Sequence, residues 1–370
     1  MSDNSTFADL PDALVRQLLE SAERVGARVH KKISGLTLQQ EALRQRARAA
    51  KLILARADLD VVREPSVCGI DGSYQVHRLT ALDLCAAAAV AVEGTAKEDR
   101  RHWEKPHHRM WVDAVEHADP TVNALRGVTV SMELELARMA PHDVVLLDGA
   151  FSPLVIWLNQ AHGAQKDKDT PQVLRDELDQ RLPVAVDSLF WALEGARAVA
   201  VPKYASRNEL AALLGIAEHE IDGKTLATVV LEAGEYTRPL AVYEADADYH
   251  LTGLGKEQGE RLARLMKEVR VIYYRPYGWL PAIRIEVTTA QVNDLNRRAL
   301  VLEAITRQLF SPATFEPYPL LLADRMVKSL GAGVNAVETA VGQYVIDQAE
   351  NVEDSLQFLR QHRTEGGRTY

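Results

Sequence analysis

Two short strings share one design: SVCGIDGS, ending at Ser73, and DVVLLDGA, ending at Ala150. Each is a run of apolar, β-prone residues that terminates in Asp-Gly, at Asp71-Gly72 and at Asp148-Gly149. A buried strand that delivers a carboxylate at its exit suits a two-metal site. Magnesium and manganese are hard ions that take carboxylate oxygens and water rather than thiols. Two such ions about 3.5–4 Å apart clamp the attacking and leaving oxygens of a phosphodiester. The following glycine lets a cation and a phosphate approach the backbone. Asp-Gly is also an ordinary turn dipeptide. A third copy, Asp222-Gly223, follows EHEI with no apolar run before it and reads as that plain turn.

Two aspartates are too few for two metals, so a third acid is expected from a neighbouring element. The segment SMELELARM offers Glu133 and Glu135 on roughly opposite sides of a helix. Glu133 shares its side with Ala137 and Ala140, small residues that can press on a sheet, and Glu135 is then the solvated one; both remain candidates at this point. Lys203 follows the strand-like AVAVP and sits in PKYASRNEL with Ser206 and Arg207. A Lys and an Arg just past a sheet edge suit a phosphate near a helix N-terminus. The plain alternative is a capping box, Ser206 with Glu209 three residues on, which leaves Lys203 free. His102, His107 and His108 lie in a charged stretch without an acid-rich partner and argue poorly for zinc. Ser73 has no His-Asp partnership. No Walker loop or GxGxxG occurs, and GAGVNA from Gly331 falls inside an apolar helical stripe.

The elements needed to bring these groups together follow from the hydrophobic pattern. Residues 8–60 read as helix interrupted near Ser34-Gly35, a hairpin or a long arm. Strands are expected at Val67–Ile70, Tyr74–Thr80 and Leu82–Val92, then a loop through EGTAKEDRRHWEKPHH. A helix over Val128–Met139 precedes the fully apolar strand Val144–Leu147, of the kind found at a sheet centre. A helix from Phe151, a polar stretch over Gln165–Gln180, a helix over Val184–Glu194 and the strand Ala198–Val201 come next. Beyond them, Leu226–Leu231, Pro239–Tyr243, Val269–Tyr274 and Ile283–Val287 are strand candidates, and Lys256–Lys267 and Ala290–Gln308 helix candidates. From Leu320 to Val341 apolar residues step by three and four, one helical stripe. Three strands, a helix, a central strand, a helix and another strand is the order of a ribonuclease H-like mixed sheet flanked by helices. In that α/β fold the strands carrying Asp71 and Asp148 lie side by side although 77 positions separate them. The expected organisation is an N-terminal helical arm over 1–62, one α/β domain over 63–345, and a helix end and tail over 346–370.

Composition limits the function classes. Hydrophobic content of 47% and charged content of 26% are those of a soluble globular chain. The longest apolar stretch, Leu84–Val92, is too short to span a bilayer, and the polar, acidic start lacks the pattern of a signal peptide. Cys68 and Cys85 sit in apolar runs without metal-type spacing, so a reduced, cytoplasmic protein without membrane attachment is expected. Aromatic content of only 6% argues against a platform of many rings for stacking bases. The net charge of −9 disfavours nucleic acid, but from Arg24 to Arg56 nine Lys/Arg, Lys31 and Lys32 among them, accompany a single acid, Glu41. That segment could hold a phosphate backbone. A solvated helix face is the plain alternative.

Taken together, GIDGS, the acidic helix before VVLLDGAF, VAVPKYASRNEL, YYRPYGWLPAIRIEV and PYPLLLADRM resemble the NurA nuclease domain from about Val67 to Leu330. The resemblance implies a ribonuclease H-like, manganese-dependent DNA nuclease, with magnesium as the other candidate ion. It also implies 5′-to-3′ exonuclease and single-strand endonuclease activity. The implied partners are DNA, a second copy in a homodimer around a central channel, and a HerA-type hexameric ATPase, for end resection in DNA repair or for phage defence. By motif match, Asp71 and Asp148 take the metal-binding aspartate positions, Glu133 the acidic helix position and Lys203 the basic position. The family's last motif places a histidine after Leu-Ala, where this chain has Asp324. Aspartate also ligates manganese, but it brings charge and lacks the neutral imidazole that shuttles protons. That departure keeps a second reading open, a non-catalytic DNA-binding or structural subunit of the same translocase complex. A nucleotide site of the actin or sugar-kinase type is a third reading, and it would want glycine-rich phosphate loops that the chain does not have.

Overall fold

The structure is a computed structural model and describes residues 10–60, 63–97, 100–203, 208–216, 221–242 and 249–359. It begins with α1 (Asp12–Ala49) and β1 (Ile53–Ala55), followed by the long hairpin β2 (Val67–Arg78) and β3 (Asp83–Glu93) and then β4 (His107–Val115). Next come α2 (Thr121–Met139), β5 (Val144–Asp148), α3 (Phe151–Lys166), α4 (Gln172–Glu194) and β6 (Ala198–Val201). The second half holds α5 (Ala211–Leu214), α6 (Gly223–Val230), β7 (Glu235–Thr237), β8 (Leu240–Ala241), α7 (Lys256–Glu268), β9 (Arg270–Arg275) and β10 (Ile283–Val287). It closes with α8 (Thr289–Asn293), α9 (Leu295–Gln308), α10 (Tyr318–Lys328), α11 (Leu330–Gln348) and α12 (Val352–Leu359).

Among the described residues the strands form one mixed sheet in the order β1-β7-β9-β10-β6-β5-β2-β3-β4, with β8 pairing to β9. The segment β2-β3-β4 is antiparallel, and β5 joins it parallel to β2 with Val67 opposite Val144 and Ile70 opposite Leu147. β6 then runs parallel to β5. This is the ribonuclease H-like arrangement expected from the strand order. Because side chains alternate along a strand, Cys68, Ile70, Val145 and Leu147 enter a core with α2, α3 and α4. Val67, Val144, Leu146, Val199 and Val201 enter a second core on the other face, with Leu302 and Ile305 of α9 and Leu320 of α10. Continuing the same alternation, Asp71, Asp148 and Lys203 fall on the face that α10 covers.

Several local readings change. The N-terminal arm is one helix of 38 residues without a break at Ser34-Gly35, and it ends at Ala49, before a strand. Its packed residues are Leu43, Arg44 and Ala47, and Arg44 bonds to the Val230 carbonyl at 2.6 Å and forks onto Glu235 at 2.6 and 2.7 Å. Val67 to Arg78 is a single strand, where two had been expected, because Gly72 continues the ladder opposite Ala89. The charged stretch before Val115 ends in a strand, β4, an exposed sheet edge with half-polar alternation. The expected strand 226–231 is helical through Val230, and Leu231 is its C-cap. Asp222 accepts from the Thr225 amide as N-cap, and Leu226, Ala227 and Val230 share the buried face. The polar run from Gln172 begins α4, and the C-terminal stripe is broken at Ser329 into α10 and α11. The Ser206 cap, Arg207 and Tyr243 lie outside the described residues. No helix among the described residues is long and apolar enough to cross a membrane.

α10 reaches the sheet because Gly69 has no side chain. A Cβ built there would lie 2.6 Å from the Leu320 nitrogen and the Pro319 carbonyl carbon, backbone that cannot swing aside. Gly69→Ala is therefore expected to destabilise the fold by about 1–3 kcal/mol through overpacking, measured as a lower urea midpoint at unchanged m-value; an unchanged midpoint would show that α10 is not seated this way.

Candidate metal centre

Asp71 and Asp148 are one register step beyond the Ile70–Leu147 pair, so adjacent parallel strands present them side by side. β5 ends at Asp148, and the chain turns through Gly149 at φ 98°, a conformation that disfavours any side chain. Asp324 arrives from α10 on the same face. Among the described residues, these three offer carboxylate oxygens that all lie within 4.8 Å of one another. Lys203, just past β6, places its Nζ 2.8 Å from Asp148, 3.0 Å from Asp324 and 3.1 Å from Glu316. Lys328, one turn along α10, pairs with the other Asp324 oxygen at 2.8 Å.

Glu133 comes from the opposite face. α2 packs there, and the bare Gly72 makes room: a Cβ on Gly72 would stand 2.3 Å from Glu133 Oε1 and 2.6 Å from Thr129 Cγ2. The two Asp-Gly glycines thus serve different ends, one a left-handed turn and the other clearance for a carboxylate. Glu135 faces away, its carboxylate 2.8 Å from Arg109 and 3.7 Å from Arg181. Lys31 and Lys32 sit on the exposed part of α1, 11 residues or more before its first packed residue.

The electrostatics follow from this crowding. Burial, then the charge of Asp148, pushes the Asp71 carboxyl up to about 7, with Lys203 opposing. Burial and the charges of Asp71 and Asp148 hold Glu133 well above the usual carboxylate range. Asp324 goes the other way despite its burial, because Lys328 and Lys203 hold its charged form. The carboxylates bonded to Lys203 raise its ammonium's pKa against the effect of burial. The donor set is all oxygen, clustered and over-supplied with negative charge, and it fits Mn2+ or Mg2+. Asp71, Asp148 and Asp324 would hold such an ion.

Sequence reasoning missed Glu316, Lys224 and a buried ionic network. Lys224 of α6 donates to the Lys203 carbonyl at 3.4 Å, and burial lowers its pKa. On β10, Arg284 is 2% and Glu286 1% exposed. Arg284 pairs with Glu209 at 2.6 Å and Glu286 at 2.8 Å, and the Tyr273 hydroxyl donates to Glu209. Glu286 in turn accepts the Phe151 amide, at the start of α3, at 3.0 Å. The only sequence signal was the pair of charges inside IRIEV, which reads as a half-solvated strand.

In the metal-free protein Asp71 and Glu133 bind protons more tightly folded than unfolded. Their contribution to stability is therefore expected to fall as pH rises from about 4 toward 7, where the unfolded chain gives up protons that the folded one retains. Asp324 acts oppositely in more acid conditions, and His142 and His162, whose pKa values burial lowers, act oppositely within this range, so the carboxyls are read by comparison with a variant. Measured against Asp71→Asn, the metal-free wild type should lose thermal midpoint as pH rises across this range, and adding Mn2+, which binds the ionised native cluster, should restore it. A wild-type midpoint that gains on that of Asp71→Asn as pH rises would contradict the assigned crowding.

A family model described as the NurA domain matches residues 65–329. The fold is similar to the NurA nuclease from Sulfolobus solfataricus, with a TM-score of 0.60 at 14% identity over 92% of this chain and 99% of that one. It is also similar to a NurA structure with manganese (TM-score 0.53, 15% identity, 90% of this chain and 99% of that one). A third similar structure is NurA bound to dAMP and manganese (TM-score 0.50, 13% identity, 91% and 99%). The search of curated protein sequences finds no match. At these identities the structural likeness speaks for the fold, while the family match spans most of the chain. The chain belongs to the NurA domain family.

Proposed function

We propose that this chain is a metal-dependent deoxyribonuclease. The observation that carries the reading is the convergence of Asp71, Asp148 and Asp324, from two strands and a helix, within 4.8 Å and around one ammonium group. Divalent ions bound there supply Lewis acidity toward the oxygens of a phosphodiester. Asp71 and Asp148 would hold those ions at the sheet. Asp324 closes the site from α10, and Glu133 adds a carboxylate from beneath Gly72. Lys203 balances the carboxylates and, with divalent ions bound, would be placed to donate to a phosphoryl oxygen as charge builds in the transition state. The manganese in two related structures supports Mn2+ as the working ion.

The family's finer properties belong to the same proposal. These are 5′-to-3′ exonuclease and single-strand endonuclease action, a homodimer, a HerA-type ATPase partner, and a cytoplasmic role in DNA end resection or phage defence. Arg207 and the basic face of α1 with Lys31 and Lys32 are proposed as DNA contacts. A non-catalytic subunit is the second reading. What favours it is Asp324 at the position of the family histidine, tied to two lysines.

With Mn2+ and labelled single- or double-stranded DNA, wild type is expected to cleave, and Asp71→Ala and Asp148→Ala to lose at least about 100-fold in rate. Intact DNA with and without the ATPase would leave the second reading standing; cleavage surviving both substitutions would place the chemistry elsewhere. Lys203→Met should move two quantities in opposite directions: the cleavage rate falls about 100-fold, while calorimetric Mn2+ affinity increases because a competing cation has gone. Weaker Mn2+ binding would show that Lys203 does not compete with metal.

A further inference from the structure

The β9–β10 turn carries a pair of aromatic rings that the metal centre does not use. Tyr277 and Trp279 stack nearly parallel, 9° between planes and 5.0 Å between centroids. Tyr277 is partly buried against the second core and donates its hydroxyl to the Thr306 carbonyl at 3.2 Å. Trp279 remains 43% exposed. With one face on Tyr277, its exposure is left to the other face and the ring edges.

The turn is held rigid. Arg275 donates Nε to Leu280 O at 3.1 Å and Nη2 to Gly278 O at 2.8 Å. Its Nη1 reaches Thr228 O and Leu231 O of the α6 region at 3.1 and 2.8 Å. The Ala282 amide donates to Thr228 Oγ1 at 2.9 Å. An exposed indole on so firmly tethered a turn loses little entropy when a flat partner lands on it.

Its position follows from the ladder. β10 is antiparallel to β6 with Glu286 opposite Ala200, so the start of β10 lies level with Lys203 and the turn lies beyond it, at the same end of the sheet as the metal centre. The lateral offset from β6 is one or two strand spacings, about 5–10 Å. Lys224, whose ammonium reaches the Lys203 carbonyl, stands one helical turn before Thr228 on α6, between the two places.

We infer that Trp279, backed by Tyr277, is a stacking platform for a nucleobase of a single-stranded DNA substrate whose backbone runs to the carboxylates. The inference rests on the nuclease reading and adds a strand-specificity determinant to it. A base free of a duplex offers a π-face to the indole. A base inside a duplex does not. One ring pair is enough for this and is compatible with the chain's low aromatic content.

The test separates binding from chemistry. Affinity for a fluorescent single-stranded oligodeoxynucleotide is measured by anisotropy with Ca2+ in place of Mn2+, and cleavage is measured with Mn2+. Bis(p-nitrophenyl) phosphate, a small phosphodiester that needs only the metal centre, is the third substrate. Trp279→Ala is expected to weaken single-strand binding at least fivefold and raise KM by a similar factor. Duplex binding and hydrolysis of the small diester stay within twofold of wild type, and Trp279→Phe keeps most of the single-strand affinity. Unchanged single-strand affinity in Trp279→Ala would overturn the inference, as would equal losses on duplex and single strand. If wild type cleaves neither DNA nor the small diester, the nuclease reading falls, while the anisotropy comparison still decides the platform.

Discussion

Three carboxylates brought within 4.8 Å of one another at a partly buried place repel strongly, because the local dielectric screens them less than water does. The fold tolerates this by supplying one ammonium in the middle of the group and a second on its flank. Lys203 touches Asp148, Asp324 and Glu316, and Lys328 takes the remaining charge of Asp324. Asp71 has no such partner within bonding distance among these lysines, and burial, then the charge of Asp148, raises its pKa against the opposing charge of Lys203. The uneven result, one aspartate reluctant to ionise and another eager, is what a site waiting for divalent cations looks like. A divalent cation held there would remove repulsion that the lysines only partly balance.

That constraint reaches into the packing. Asp324 joins the group only if α10 lies flat on β2, and α10 lies flat only because position 69 is glycine. Glu133 approaches from the opposite face only because position 72 is glycine. One strand, β2, therefore serves as the wall on which two helices from two layers press, with the bare positions on alternate faces, two residues before Asp71 and one after it. The side-chain alternation of a strand does this work without any special backbone conformation; the left-handed turn is reserved for Gly149, where β5 must stop.

Much of this was legible in the sequence, and the reason is local. The Asp-Gly strand ends, the apolar strand Val144–Leu147 and the order of elements each follow from patterns a few residues long. What was not legible depended on tertiary surroundings. The segment Leu226–Leu231 is rich in β-branched residues, yet an Asp222 cap and a buried helical face outweigh that propensity. Ser34-Gly35 looked like a break, but glycine in a long exposed helix costs only about 1 kcal/mol, and α1 runs through it. The separation of Glu133 from Glu135 needed the sheet itself, since only the packed structure says which side of α2 meets Gly72 and which meets Arg109. Glu316 carried no signal, lying in an irregular segment eight positions before Asp324.

The network on β10 follows a different logic from the metal centre. Alternating charges in IRIEV normally mark a strand with one wet face, yet Arg284 and Glu286 are almost wholly buried. Ion pairs so deep stabilise a fold weakly, because the desolvation they suffer rivals their attraction. Their value here is positional. Glu286 accepts the Phe151 amide at the head of α3, three residues after Asp148, and Arg284 holds Glu209, six residues after Lys203. An apolar pair of equal volume would fill the space and leave the Phe151 N–H without its acceptor, in a helix terminus that lacks a side-chain cap of its own. The same guanidinium that neutralises Glu286 thus ties together the two chain segments that leave the sheet with Asp148 and Lys203, and it does so from the face opposite the cluster, where it does not compete with cations for the carboxylates.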